Sequence, residues 1–401
     1  MKKFNIVEYK NKEKKSDISF LDETMAQKVI GYHKSFPQYE ETPLVELKNL
    51  SEEIGLKGFY VKDESYRFGL NAFKVLGGSF CIGTYIAEKL GVDISELSYE
   101  KLISKEIKEK LGEISFTTAT DGNHGRGIAW TANQLGQKAN IFMPKGTAKE
   151  RLENILKENA NAAIYDWNYD ECVRQASKYA KEHNGVLVQD TSWDGYEIVP
   201  KWIMQGYMTM AYETYNKLKA KGELPTHIFL QAGVGSFAAA ITGFFANVMK
   251  DCMPKIIIVE PNKANCLYKT AEKNDGKLYT VEGDLDSIMA GLCCGEPVTI
   301  GWPILSSYVN YFISVDDMYA AHGMRLLGNA LRDDEKIVSG ESGAVTSGVV
   351  HKIMTDGELI KYKEALELDE NSIVLCFSTE GDTDKENYRK IVWDGAYPFN
   401  D

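Results

Sequence analysis

The chain has 401 residues, 44% apolar and 26% charged, with a formal net charge of −12. That length predicts two domains rather than one core, and the composition is that of a globular protein. The acidic balance speaks against nucleic acid or an acidic membrane surface as a partner, because both attract basic patches.

At the N-terminus Met1-Lys2-Lys3 leads into polar residues, so no signal peptide is expected, and no stretch approaches a membrane span. Lys10, Lys12, Lys14 and Lys15 interleave with Asn and Glu and read as a solvated surface segment. Seven cysteines without C-x-x-C spacing read as reduced thiols of a cytoplasmic protein. Whether Cys266 meets Cys293 or Cys294 stays open at this level. The histidines show no metal-ligand spacing, so His227, His322 and His351 read as packing or surface residues and no metal is expected.

Residues 65–79, SYRFGLNAFKVLGGS, place Lys74 between Phe73 and a Val-Leu-Gly-Gly turn, whereas the other lysines read as lying in polar segments. Lys74 either snorkels to the surface or does chemistry in an apolar pocket, where burial would favour a neutral amine. The charged stretch 96–113 predicts an exposed helix. From Ile114 onward strand, loop and helix alternate: ISFTTAT, GIAWTANQLG, ANIFMP, a helix from Ala148 to Asn159, AAIYDW, a helix over 169–182, and GVLVQD. A second series runs HIFLQ, the loop AGVGS, a helix from Phe237 to Met249, KIIIVEP and SIVLCFS. Short apolar strands alternating with amphipathic helices predict an α/β fold of open, mostly parallel twisted sheets.

Three strand-end loops carry candidate chemistry. DGNHGRG (121–127) opens a helix; Asn123 and Asp121 are N-cap candidates as much as ligand contacts. AGVGSFAAA (232–240) is either a tight turn or a phosphate cradle formed by Gly233, Val234, Gly235, Ser236 and Phe237. STEGDTD (378–384) reads alone as a surface loop, with no partner motif for a metal. SGESGAVTSG holds Glu341, either beside a ligand or in a surface turn.

In chain order, the lysine, the Asn turn, the glycine turn and the late Ser resemble the fold-type II pyridoxal-phosphate enzymes. That family includes threonine and serine dehydratases and tryptophan synthase β chains. The resemblance implies pyridoxal 5'-phosphate as cofactor, carried on Lys74 as a Schiff base with Phe73 beside it. It places Asn123 at the ring hydroxyl, the 233–237 loop at the phosphate, Ser378 or its neighbour Thr379 at the pyridine nitrogen, and Glu341 nearby. RFGLNAFKVLGGSF, TATDGNHGRG, QDTSWDGY and FSTEGDTD are most similar to its ammonia-lyase branch acting on 2,3-diaminopropionate, over about Thr42 to Tyr397. Dehydratases carry Ser-Ser-Gly-Asn where this chain has Asp121 before Gly-Asn.

That branch implies elimination from both D and L isomers, giving pyruvate and two ammonia. Lys74 would serve as base for one isomer and Asp121 for the other. A β-ammonium leaving group needs a carboxylate, for which Asp190 is the candidate, with Asp194 weaker; Asp190 starting a turn is the alternative. The family further implies a large cofactor-binding domain (1–76 and 191–401), a smaller α/β domain (77–190) with the active site between them, and a homodimer. Competing readings are a serine or threonine dehydratase, or a protein that binds the cofactor without catalysis.

Overall fold

The computed structural model describes residues 4–10 and 15–399. Lys10 and Lys15 are exposed; Lys12 and Lys14 lie outside the described residues. Among the described residues the strands are β1 (Phe4–Glu8), β2 (Leu44–Glu46), β3 (Gly58–Asp63), β4 (Ser115–Ala119), β5 (Lys138–Met143), β6 (Asn161–Ile164), β7 (Val186–Leu187), β8 (His227–Gln231), β9 (Lys255–Pro261), β10 (Tyr311–Val315) and β11 (Ile373–Ser378). They form a seven-stranded sheet, in the order β1-β10-β9-β8-β11-β3-β2, and a four-stranded sheet, β6-β5-β4-β7.

All pairings are parallel except those of the two edge strands of the large sheet, β1 with β10 and β2 with β3. Helices cover both faces of the interior strands, which explains their unbroken apolar runs. Every residue of β8 and β11 is buried, as are the last six of β9. The fold is therefore the α/β arrangement of mostly parallel sheets expected from the alternating pattern.

Local departures have local causes. The stretch 96–113 is broken into the short helices Tyr99–Leu102 and Lys105–Leu111. Ser98 Oγ accepts from the Lys101 N–H and Ser104 Oγ from the Ile107 N–H, so each serine starts its own helix. GVLVQD pairs as a strand only over Val186–Leu187, and its end turns toward the cavity described below.

The strand β3, GFYVKD, runs from the apolar Phe59–Val61 into two charged residues, Lys62 and Asp63, at its end. All six of its residues are nevertheless buried. The expectation that lysines other than Lys74 lie in polar segments is thus corrected: the Lys62 side chain is 0% exposed. Its Nζ donates to Glu213 Oε2 at 2.5 Å and to the Thr42 carbonyl at 2.9 Å. Arg67, also fully buried, donates to Glu213 Oε2 at 2.7 Å and to both Glu64 oxygens at 2.8 Å. Burial alone would raise the Glu213 carboxyl, but Arg67 and Lys62 outweigh it and hold it at about 2.

Glu213 lies on the helix Ile198–Lys221, so this network ties that helix to the segment leading into Lys74. The same helix touches the root of the helix Val75–Leu90 through Gly206. A Cβ on Gly206 would lie 2.4 Å from the Leu76 carbonyl oxygen. From the other side Gly127 fits against Val75, whose Cα an added Cβ would approach to 2.8 Å. Close approach on both flanks fixes where residue 74 emerges.

Glu213→Gln is expected to destabilise the fold by about 3–5 kcal/mol, the cost of leaving buried cations short of a partner. A depressed folded-state carboxyl contributes stability above its unfolded value and loses it as pH falls through the folded one. The gap in unfolding midpoint between the unaltered chain and this variant should therefore narrow between pH ~4 and pH ~2. Urea titrations at several pH values read it; a gap independent of pH would sink the assignment.

Candidate active site

Lys74 stands at the N-cap position of Val75–Leu90, just past a turn in which Phe68 and Asn71 adopt positive φ. The neighbouring Phe73 N–H donates to the Thr379 carbonyl at 3.0 Å, anchoring this turn to the end of β11. The Lys74 side chain does not snorkel outward. It lines a cavity with Phe73, Asp121, Asn123, Asp190 and the 233–237 loop.

Lys74 Nζ donates to Asp190 Oδ2 at 2.6 Å. Asp190 is held in turn, its carbonyl accepting from Ser236 Oγ at 2.6 Å and its Oδ1 from Gln189 Nε2 at 3.3 Å. Burial disfavours charge on both partners, yet their attraction outweighs it. Lys74 is raised, with Tyr207 and Asp121 adding to the effect of Asp190, and Asp190 is lowered with help from His124. The expectation of a neutral amine produced by apolar burial is therefore corrected, since free Lys74 is an ammonium paired with a carboxylate. Asp194, the weaker candidate, is exposed and does not line the cavity.

Neither Asp121 nor Asn123 is an N-cap. The cap of the helix Asn123–Gln134 is Gly122 at φ +157°, a conformation that L side chains rarely adopt. Asp121 Oδ2 instead accepts from Arg151 Nη1 at 3.2 Å, and Asn123 Nδ2 donates to Glu380 Oε2 at 2.6 Å. Beside them His124 Nε2 donates to the Val188 carbonyl at 2.8 Å, while its Nδ1 faces Asp190 at 3.9 Å with no hydrogen-bond partner. Burial lowers the His124 imidazole and so favours its neutral form.

The glycine loop sits at the start of the helix Ser236–Val248, where no side chain caps the first turn. Gly235 has φ +104°, and a Cβ on Gly233 would press against Leu292 Cα at 3.2 Å and Cys294 Sγ at 3.3 Å. A concave loop of free N–H groups at a helix N-terminus suits a phosphate. Two buried polar atoms in the cavity wall, Gln231 Oε1 and Ser342 Oγ, also lack partners. An amine, an anion cradle and unsatisfied polar atoms in one cavity fit pyridoxal phosphate.

Of the two late hydroxyls, Thr379 lines the cavity and Ser378 does not. Ser378 Oγ is fully buried and donates to Ser339 Oγ at 2.8 Å. Thr379 Oγ1 accepts from Gln231 Nε2 at 2.7 Å, which leaves its own proton available to donate. Glu341 is buried rather than in a surface turn, but it stands behind the cavity wall and accepts from Asn387 Nδ2. Burial and the nearby Glu380 push its carboxyl up to about 7.

STEGDTD, read alone as a surface loop, is buried over Ser378, Thr379 and Glu380. Glu380, Tyr169, Tyr207, Cys293 and Cys294 all line the cavity and were not expected there. Glu380 had a signal, as the next residue after two buried hydroxyls; the tyrosines, sitting mid-helix or at a helix start, had none. All seven cysteines are free thiols, and Cys266 Sγ lies 3.8 Å from the Gly233 carbonyl. Away from the cavity the fold pairs two histidines that the sequence left unrelated, His322 Nε2 lying 3.0 Å from His351 Nδ1. Among the described residues no group of three or more His, Cys, Asp or Glu could hold a metal, and no helix is long and apolar enough to cross a membrane.

A family described as pyridoxal-phosphate dependent enzyme has a model matching residues 36–378. Diaminopropionate ammonia-lyase of Salmonella typhimurium is 49% identical over 380 residues, covering 94% of this chain and 94% of that protein. The crystal structure of holo diaminopropionate ammonia lyase from Escherichia coli superimposes with TM-score 0.93 at 43% identity, covering 100% of this chain and 99% of that one. The same Escherichia coli enzyme in complex with D-serine gives TM-score 0.92 at 42% identity, covering 98% of each chain.

Asp190→Asn should lower the Lys74 pKa, because it removes the charge that opposes desolvation. In the cofactor-free chain this predicts faster labelling of Lys74 by an amine-selective acylating reagent at neutral pH, located by mass spectrometry. Equal labelling in both proteins would mean that Asp190 does not control the protonation of Lys74.

Proposed function

The chain belongs to the pyridoxal-phosphate dependent enzymes, and on that premise we propose that it eliminates ammonia from both isomers of 2,3-diaminopropionate. The observation that carries this reading is the pair of carboxylates, Asp121 and Asp190, lining the cavity into which Lys74 projects. A dehydratase acting on a hydroxy amino acid has no β-cation to hold and no need of the second carboxylate. A protein that merely stores the cofactor needs neither.

Pyridoxal phosphate, bound through Lys74 with its phosphate at Gly233–Phe237, supplies an electron-withdrawing ring that acidifies the substrate Cα–H. Lys74 Nζ, set free from the cofactor as a neutral amine rather than as the ammonium of the cofactor-free chain, would take that proton from one isomer, and an Asp121 oxygen would take it from the other. The Cα–H electron pair stays on the substrate and expels the β-amine. Asp190 would pair with that amine in its ammonium form, so that the C–N electron pair leaves on nitrogen and the group departs directly as neutral ammonia. Asn123, fixed by Glu380, would orient the ring through its hydroxyl. Thr379, whose Oγ1 accepts from Gln231 Nε2, would be free to donate to the pyridine nitrogen without charging it, which would favour prompt elimination. The released enamine hydrolyses to pyruvate and a second ammonia.

The same reading divides the chain into a large part (1–76 and 191–401) and a smaller one (77–190), with the cavity between them. It also makes the protein a cytoplasmic homodimer, a mass that sedimentation equilibrium reads directly.

Pyruvate release from L- and D-2,3-diaminopropionate, L-serine and L-threonine, assayed side by side, tests the substrate. The diamino acid should be preferred in both configurations; turnover of the hydroxy amino acids alone would overturn the assignment. Lys74→Ala should lose the visible imine absorbance together with turnover, by a factor of 10² or more, about the size of a general-base contribution. A retained imine band would remove Lys74 as the anchor.

A further inference from the structure

Arg151 takes no part in the chemistry above, yet it is only 8% exposed, and it leans directly on the Asp121 turn. Its Nη1 donates to Asp121 Oδ2 at 3.2 Å and to the Asp121 carbonyl at 3.4 Å. Its aliphatic stem crosses the next residue: a Cβ on Gly122 would lie 3.0 Å from Arg151 Cδ and 3.4 Å from Cγ. The guanidinium thus grips the side chain and the backbone of one residue while its stem packs on the neighbouring glycine. Burial opposes the charge on Arg151, but Asp121, then Glu380, Glu341 and Asp384, outweigh that and hold it as a cation. Its Nε is buried with no hydrogen-bond partner, a cost that the contacts of the head group must offset.

The two proposed bases therefore have different keepers. Lys74 is held by Asp190, and Asp121 is held by Arg151. The Asp121 contact engages Oδ2 and leaves Oδ1 outside the ion pair. We propose that Arg151 is a positioning residue that holds Asp121 for proton removal, so that it serves turnover of one substrate isomer and not the other. This rests on the two-base reading of the elimination.

The physical expectation is an asymmetric loss. Proton transfer demands a base within hydrogen-bond reach of the Cα–H, and a displacement of ~1 Å costs up to ~10²-fold in rate. Without Arg151 the Asp121–Gly122 turn loses both its ionic and its packing contact, while the Lys74–Asp190 pair keeps its own hydrogen bonds. A generic loss of packing would slow both isomers alike.

The test assays the unaltered holoenzyme, Arg151→Gln, Arg151→Lys and Asp121→Asn on D- and L-2,3-diaminopropionate, with kcat and KM measured separately. Arg151→Gln should lower kcat at least ~10-fold more for one isomer, the same one that Asp121→Asn impairs more, with little difference between isomers in KM. Arg151→Lys, which keeps the charge and most of the stem, should recover part of that ratio, and it carries the test if the Gln variant folds poorly. In the cofactor-free chain, urea midpoints of Arg151→Gln, Asp121→Asn and the double variant should be non-additive, the double shift falling short of the sum. Equal kcat losses for the two isomers, an Asp121→Asn variant without isomer preference, or additive midpoints would each overturn the proposal. If the unaltered enzyme releases pyruvate from neither isomer, the elimination reading itself fails and this one falls with it. If it uses both, and Asp121→Asn alone is isomer-selective, the elimination stands and only the role of Arg151 is lost.

Discussion

The buried charges Lys62, Glu64, Arg67 and Glu213 are the constraint on which the geometry of the cavity depends. Four charge-bearing side chains without solvent are tolerable only if each is paired, and their hydrogen bonds leave little freedom in how β3, the turn after it and the helix Ile198–Lys221 are placed. That helix then brings Gly206 against the Leu76 carbonyl and Tyr207 beside Lys74. The position of the lysine is thus set by contacts on both sides of it in the chain.

Around the cavity the charged groups are matched locally. Lys74 answers Asp190, Arg151 answers Asp121, and Asn123 answers Glu380. Such pairing keeps several ionisable groups in a low-dielectric space without forcing them to neutralise. It also gives each proposed base its own support, so that two proton-transfer roles coexist in one small volume. Glu341, pushed up to about 7 by burial and Glu380, stands just behind the cavity wall.

Much of this was legible in the chain. The alternation of apolar strands and amphipathic helices between Ile114 and Ser378 specifies a mostly parallel α/β fold, because strands covered on both faces must be apolar throughout. Of the strands that the pattern does not pick out, β3 carries Lys62 and Asp63 into the interior and the edge strands β1 and β2 are short and partly exposed, whereas β10 is missed although four of its five residues are buried. Their placement rests on pairing partners far away in the chain, such as Glu213 for Lys62, and no local pattern reports such a partner.

The sequence by itself determined which residue types would meet: a lysine among apolar neighbours, an Asp-Gly-Asn turn, a glycine loop before a helix and hydroxyls at the end of a strand. These are local motifs whose backbone demands can be read from a few adjacent residues. Only the tertiary structure decided their states. Lys74 is an ammonium rather than a neutral amine because Asp190, brought in from the small sheet, outweighs its burial. Thr379 rather than Ser378 faces the cavity because Ser339 claims the Ser378 hydroxyl. Arg151 meets Asp121 across 30 positions because the small sheet sets its helix over the glycine of the turn. Charge state and side-chain direction depend on long-range neighbours, and those exist only once the chain has folded.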